Sequence, residues 1–277
     1  MYRNLLVHIP TERSPRPAID GSISLAMTCG ADLEAIAVGY ESVGDVSFAA
    51  DGGIAIAPLF EAQHEQAVER AKAALAVFEY EAATAKITYR SRAVCGPFAD
   101  AAEIVCATAR LFDLTVVSQP EPAQAVFDNM LPQRILLQSG GPVLILPYTF
   151  RGAMNIGRVG ILWDGGRLAS RALRDAMPLI SRADTLLILT VNDPLSPESS
   201  PDRLSAHLAR RGLPAKTISF RADHSSIQPA ILSAAADEGL DLLVMGAFGH
   251  SRLQEVVLGG VTRDMFRSMT VPTLMSH

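Results

Sequence analysis

The sequence is poor in the features that mark several classes of protein. Only three of its 277 residues are cysteines, Cys29, Cys95 and Cys106, and their spacing matches no metal site. Charged residues make up 19% of the chain and the net charge is −5, which argues against a general nucleic-acid binder. Walker loops, nucleophile elbows and zinc motifs are absent from the sequence. We therefore predict no metal site and no catalytic residue.

The sequence also lacks a long apolar run. No segment reaches the length that spans a bilayer, and the amino terminus shows no basic region followed by an apolar core. We therefore expect a cytoplasmic protein with reduced cysteines and without a membrane or nucleic-acid partner. The hydrophobic content of 49% over 277 residues is enough for one large domain or two of ordinary size.

The two halves of the chain repeat one pattern. In each half, short apolar runs of strand length alternate with stretches of helical periodicity. A repeat of this length, near 130 residues, indicates a duplicated domain and not a solenoid. The matching segments are 3–8 with 158–163, 111–117 with 239–245, and 141–145 with 271–275.

Strands that are apolar on both faces and alternate with helices predict the α/β class, with helices covering both sides of a parallel sheet. We predict two tandem Rossmann-like domains, residues 1–150 and 154–277, each with a five-stranded parallel sheet. Their junction lies near residues 149–155, where apolar content drops and Gly152 appears. In such sheets, ligands bind beyond the carboxyl ends of the strands, where the strand order reverses.

The most informative stretch lies between residues 241 and 265. An apolar run ends at the turn Gly246-Ala-Phe-Gly249, and after nine further residues Gly259 and Gly260 precede a predicted helix with Thr262 in its first turn. Glycines let backbone N–H groups approach an anion, and the first N–H groups of a helix have no internal partner. This spacing favours a phosphate site, while the alternative is that the glycines serve only tight turns.

These residues resemble the universal stress protein family. Its ATP-binding members close their sheet with G-x-x-G, nine residues and then G-S or G-T, commonly G-S-V-T. The chain departs from this pattern at Gly260, where the family usually has a hydroxyl. It matches the pattern at Gly246, Gly249, Gly259, Val261 and Thr262. The resemblance covers both halves and implies the tandem type with strand order 3-2-1-4-5. It also implies an internal pseudo-dimer through the fifth strands, and a homodimer of two such chains.

The resemblance places further residues near a nucleotide in the second half. It puts Asp164 near the adenine and ribose, and Val191 in the adenine pocket, although Asp164 also suits a turn and Val191 a core. His250 and Arg252 follow the first glycine turn, where they either touch phosphates or belong to a solvated loop. The complete predicted nucleotide-binding set is Asp164, Val191, Met245, Gly246, Gly249, His250, Arg252, Gly259, Gly260, Val261 and Thr262.

The first half lacks these features. Its first strand ends at residues 8–10 without an aspartate, and the proline-containing segment 118–122 replaces the first glycine turn. Residues 128–130 stand where Gly259 and Gly260 would be. The carboxylates of Glu121 and Asp128 would repel a triphosphate if they faced the same point. We predict that this half is a structural partner and not a second nucleotide site.

The pattern as a whole predicts a universal stress protein that binds ATP or a related adenine nucleotide, with or without Mg²⁺, in its second half. Its role would be that of a sensor or regulator of a stress response. One alternative is a nucleotide-free protein-interaction module, which Gly260 and the altered first half favour. The other is a slow ATPase, although no residue is an evident general base.

Overall fold

The computed structural model describes residues 1–41, 56–192, 196–248 and 260–277. Within these ranges the chain alternates strands and helices in the predicted order. The strands are β1 Asn4–Ile9, β2 Asp32–Tyr40, β3 Tyr89–Gly96, β4 Leu114–Ser118, β5 Val143–Leu146, β6 Arg158–Leu162, β7 Thr185–Val191, β8 Ala215–Phe220, β9 Leu242–Gly246 and β10 Thr273–Ser276. The α-helices are α1 Arg16–Cys29, α2 Ile56–Thr84, α3 Phe98–Ala109, α4 Leu131–Gln138, α5 Arg167–Ile180, α6 Pro201–Ala209, α7 Ile227–Asp237 and α8 Val261–Ser268.

All of these strands belong to one sheet, in the order β3-β2-β1-β4-β5-β10-β9-β6-β7-β8. Strands within each half run parallel, and each half, counted from its own first strand, has the order 3-2-1-4-5. The halves meet where β5 pairs antiparallel with β10, with Leu144 opposite Leu274. The α/β class and the parallel arrangement within each half are thereby confirmed.

Helices cover both faces of the sheet, and this explains why the strands are apolar throughout. All five residues of β4 are buried, as are all four residues of β5. One apolar layer lies under α1, α2, α5 and α6, and the other lies under α3, α4, α7 and α8. Each fully buried aliphatic side chain in these layers contributes about 1.5–3 kcal/mol to folding. Among the described helices, none combines the length and apolar composition required to cross a bilayer.

The register of the sheet aligns the two first strands differently from the predicted match. Leu5 and Val159 face equivalent partners on β4 and β9, so Ile9, and not His8, corresponds to Trp163. The match of the first strands was therefore wrong by one residue, because a run of apolar residues carries no mark of its own register.

Candidate functional site

The second half contains a crevice of the kind that parallel sheets use for ligands. Strands β6 and β9 are neighbours, while β7 lies outside β6 and β10 lies outside β9. The connections that follow β6 and β9 therefore leave the sheet in opposite directions. Their divergence opens a crevice at the carboxyl ends of these strands.

Asp164 lies in the connection between β6 and α5. Its carboxylate Oδ1 accepts a hydrogen bond from the backbone N–H of Gly166 at 2.7 Å, so Asp164 does serve as a turn residue. The residue is nevertheless exposed at the carboxyl edge of the sheet. Gly165, between Asp164 and Gly166, has a φ of 78°, which favours glycine. A side chain at this position would also collide with Ser199.

Trp163 was not predicted as part of the site, although it is the only tryptophan of the sequence and directly precedes Asp164. The indole is 8% exposed, and its Nε1–H donates to the carbonyl oxygen of Ser199 at 2.7 Å. Its backbone N–H donates to the carbonyl of Leu189 on β7. Trp163 therefore ties the connection after β6 to the segment that follows β7.

Val191 is the last residue of β7 and Met245 the last but one of β9, the two strands that flank β6. Val191 is half-buried and packs at the border of the apolar layer under α7 and α8. The next residue, Asn192, has a φ of 62° and turns the chain out of β7. The side chain of Met245 is 3% exposed and belongs to the core, so any role in binding falls to its backbone.

The turn after β9 depends on a glycine for a packing reason. A Cβ at Gly246 would lie 2.6 Å from the carbonyl carbon of Leu168 and 2.7 Å from the backbone nitrogen of Ala169. The first turn of α5 therefore rests directly on the end of β9. Beyond it, His277 holds the turn, because its Nδ1 lies 3.0 Å from the carbonyl oxygen of Ala247.

The turn after β9 and the start of α8 are joined by a hydrogen bond. The backbone N–H of Phe248 donates to the hydroxyl oxygen of Thr262 at 3.1 Å, and Thr262 is 5% exposed. Gly260 is the N-cap of α8, with φ −62° and ψ 145°, and its carbonyl accepts from the N–H groups of Arg263 and Asp264. The N–H groups of Val261 and Thr262 come before the first intrahelical acceptor.

Four of the predicted binding residues fall on a segment of which we describe no structure. Gly249, His250, Arg252 and Gly259 lie outside the described residues. The described binding residues nearest to this segment are Gly246, in the turn after β9, and Gly260, Val261 and Thr262, at the start of α8. Their hydrogen bonds bring the two ends of the glycine motif together.

The equivalent crevice of the first half is occupied by the chain itself. Asp128 is fully buried, and its Oδ2 accepts hydrogen bonds from the backbone N–H groups of Thr11 and Glu12, both at 2.8 Å. Glu121 lies in the loop after β4, where its backbone N–H donates to the side chain of Asn129, the residue that follows Asp128. A carboxylate of the chain itself thus occupies the place where a phosphate would bind, and the repulsion of a triphosphate stays a prediction.

Arg13 supplies the matching cation and was missed in the sequence. Its guanidinium is 8% exposed and donates to the carbonyl oxygens of Gln119 at 2.6 Å and Ser118 at 3.0 Å. These carbonyls lie at the end of β4, where the second half has Gly246. Arg167, at the corresponding position of the second half, is exposed, so the residue type alone gave no signal.

His8 lies beside this pair and is electrically neutral. Burial, reinforced by the nearby charge of Arg13, lowers the pKa of His8 to about 3. Its Nε2 lies 3.6 Å from Oδ1 of Asp128, which is too long for a hydrogen bond. Burial raises the pKa of Asp128, while N–H donation from Glu12, the charge of Arg13 and N–H donation from Thr11 lower it.

Comparison with known proteins assigns a family to the second half. Residues 155–277 match the model of the universal stress protein family. A universal stress protein of Synechocystis sp. is 40% identical over 47 residues, which are 17% of this chain and 16% of that protein. Another, from Methanocaldococcus jannaschii, is 38% identical over 45 residues, 16% of this chain and 28% of that protein. The matched stretches therefore span less than a third of either relative.

Solved structures resemble the whole chain. A universal stress protein from Archaeoglobus fulgidus superimposes with a TM-score of 0.72 at 15% identity, covering 98% of this chain and 95% of that one. A putative universal stress protein from Pseudomonas aeruginosa gives a TM-score of 0.59 at 15% identity, covering 99% and 93%. At such identities the likeness concerns the fold alone, and it extends over both halves.

Proposed function

We propose that this chain binds ATP or a related adenine nucleotide in its second half, whose residues 155–277 match the universal stress protein family. We further propose that it acts in the cytoplasm as a sensor or regulator of a stress response. The nucleotide would enter with or without Mg²⁺ at the crevice between β6 and β9.

The hydrogen bond from Phe248 to Thr262 is the observation that carries the proposal. It holds the turn after β9 against the first turn of α8, so the N–H groups of Val261 and Thr262 lie at one end of the crevice. Such groups, at the positive end of a helix, favour a phosphate. The exposed carboxylate of Asp164 lies after the adjacent strand, at the position that the family resemblance assigns to the sugar and base.

The first half supports the proposal by contrast. Its crevice already contains the carboxylate of Asp128 and the guanidinium of Arg13, both buried and hydrogen-bonded to backbone groups. A ligand there would have to displace both charges. We therefore propose one nucleotide site per chain, with residues 1–150 as a structural domain and residues 154–277 as the binding domain. The pairing of β5 with β10 supports an internal pseudo-dimer.

Substitution of Gly260 gives the sharpest test. Its φ of −62° and ψ of 145° admit any side chain, and both serine and aspartate are good N-cap residues, so both variants should fold. Gly260→Ser restores the hydroxyl usual in the family and should tighten ATP binding about threefold or more. Gly260→Asp places a negative charge at the start of α8 and should weaken binding by about tenfold or more.

Isothermal titration of ATP with Mg²⁺ into the wild-type protein and both variants measures these effects. No heat with the wild-type protein, or equal affinities for the two variants, would contradict nucleotide binding at this place. The first of these results would favour the nucleotide-free interaction module. Steady release of phosphate by the wild-type protein would instead favour the slow ATPase.

A further inference from the structure

Gln119 is a buried amide that links the first half of the chain to the second. It is fully buried and directly follows β4. Its side-chain Oε1 accepts a hydrogen bond from the backbone N–H of Tyr148 at 3.3 Å. Its Nε2 donates to the carbonyl oxygen of Phe266 at 3.0 Å, on helix α8 of the other half. Both functional groups of the amide are thus engaged.

The backbone of Gln119 is fixed as well. Its N–H donates to the carbonyl of Leu146 on β5 at 2.7 Å, and its carbonyl accepts from the guanidinium of Arg13 at 2.6 Å. Arg13 and Asp128 are the residues that fill the first-half crevice. The buried guanidinium of Arg13 therefore holds the residue that reaches across to α8.

Helix α8 is short, so its position depends on the hydrogen bonds that its first and last turns make with other segments. It has eight residues, and an isolated helix of this length is not stable in water. Thr262 in its first turn accepts from Phe248, while Phe266 in its last turn presents a carbonyl that the helix itself does not satisfy. Gln119 supplies the donor for that carbonyl.

The two halves are not equivalent at this position. Ala247 corresponds to Gln119 in the register of β4 and β9, and its N–H likewise donates to the neighbouring strand, to the carbonyl of Ser276. Alanine has no side-chain donor, so it cannot hold the opposite helix in the same way. At this position, the first half therefore holds a helix of the second half through a side-chain hydrogen bond, and the second half makes no equivalent bond through Ala247.

We propose that Gln119 is a positioning residue for the nucleotide site of the second half. By holding the last turn of α8, it fixes the first turn, where the N–H groups of Val261 and Thr262 would meet the phosphates. This inference rests on the nucleotide binding proposed above. It gives the first half a defined role: its filled crevice orients the helix that the second half uses for binding.

The test replaces Gln119 by methionine, which has a similar volume but no donor. Gln119→Met removes the bonds to Phe266 and Tyr148, and the loss of the one that reaches α8 should weaken ATP binding by about five- to tenfold. It should also speed hydrogen exchange at the amides of α8 and Phe248 by a similar factor, without altering exchange in β1 and β4. A merely structural role would instead speed exchange across the sheet.

Gln228→Met is the matched control. The side-chain Nε2 of Gln228 donates to the hydroxyl oxygen of Ser268, also at the end of α8, but this bond is exposed and comes from the same half. Water can replace it, so ATP affinity and exchange should change less than about twofold. Should Gln119→Met fail to fold, Gln119→Asn withdraws the donor by one methylene, and the same measurements apply.

The two measurements separate the proposals. If the wild-type protein binds no ATP, the proposed function fails, and the exchange of α8 alone decides whether Gln119 positions this helix. If the wild-type protein binds ATP and Gln119→Met binds it equally well, the role of Gln119 is overturned while the nucleotide site stands. Unchanged exchange in α8 overturns the inference in either case.

Discussion

Thr262 and Phe248 join two segments that are 14 residues apart in the sequence, through one hydrogen bond of 3.1 Å between a backbone N–H and a side-chain hydroxyl. The sequence places this threonine in the first turn of a helix at the predicted phosphate site. Its oxygen accepts from the neighbouring turn, which leaves the hydroxyl proton as a donor. Thr262 is therefore able to hold the turn and still donate to a ligand.

Replacing Thr262 by valine preserves its shape and removes this acceptor. We expect Thr262→Val to weaken ATP binding by about fivefold or more, because the turn after β9 loses its tie and the ligand loses a donor. Titration calorimetry measures the effect. Thr270→Val, at an exposed position after α8, should bind as the wild-type protein does. Equal affinity of both variants would contradict the role of Thr262.

Gly246 should tolerate no side chain. In Gly246→Ala the new methyl group meets the backbone of α5 at Leu168 and Ala169, and relief requires a shift of the helix. We expect a loss of about 1–3 kcal/mol in the free energy of unfolding, measured by urea denaturation. Gly141→Ala is the control, since its nearest neighbour would be 3.9 Å away. A loss no greater than that of the control would contradict the close packing.

Asp128 should stabilise the fold mainly by accepting hydrogen bonds from backbone N–H groups. Asp128→Ala leaves the N–H groups of Thr11 and Glu12 without a partner, and we expect a loss of about 2–3 kcal/mol in unfolding free energy. Asp128→Asn keeps one acceptor oxygen and should lose less than half of that. Asp100→Ala, on the exposed first turn of α3, should cost under about 1 kcal/mol. Equal losses for Asp128→Ala and Asp128→Asn would instead assign the effect to the charge.

His8 should make the folded protein sensitive to acid. Burial lowers the pKa of His8 to about 3, whereas an unfolded chain takes up the proton near its usual pKa of about 6.5. The unfolded state thus binds more protons between these values, so stability is full above about pH 6.5 and falls with decreasing pH. The slope approaches about 1.4 kcal/mol per pH unit.

Urea denaturation between pH 7.5 and about 5 checks this slope, and His8→Gln should flatten it. His64→Gln serves as the control, because His64 is exposed and pairs with Glu41 on the surface. Burial raises the pKa of Asp128, and this shift has the opposite sign, because the folded state then holds the carboxyl proton more readily than the unfolded chain. An unchanged slope in His8→Gln would contradict a neutral, buried imidazole.

The sequence indicated most of the fold because its strands are continuous apolar runs. Apolar runs predict strands at residues 4–9, 114–117 and 143–146, and the structure has β1 and β5 with these bounds and β4 one residue longer. Helical periodicity begins at residue 61, whereas α2 begins five residues earlier, because the segment 44–58, rich in glycine and alanine, is typical of a loop. Periodicity reports burial, so it locates the centre of an element better than its ends.

The candidate site was predictable only where backbone geometry demands a residue type. Gly246 and Asp164 could be found, because a close helix contact and a tight turn leave few alternatives. Arg13 and Gln119 could not, because their roles depend on partners more than 100 residues away. His277 likewise gave no signal, although it holds the turn after β9.

The pairing of β5 with β10 changes how copies of this chain can assemble. Family resemblance implies association through the fifth strand, yet here the two fifth strands already bond to each other. The sheet ends at β3 and β8, whose outer backbone groups face no further strand within the described residues. Another molecule could lengthen the sheet only from one of these flanks, so larger oligomers would grow outward or stack through helices. The free edge of β5 is therefore not available for pairing with a second molecule.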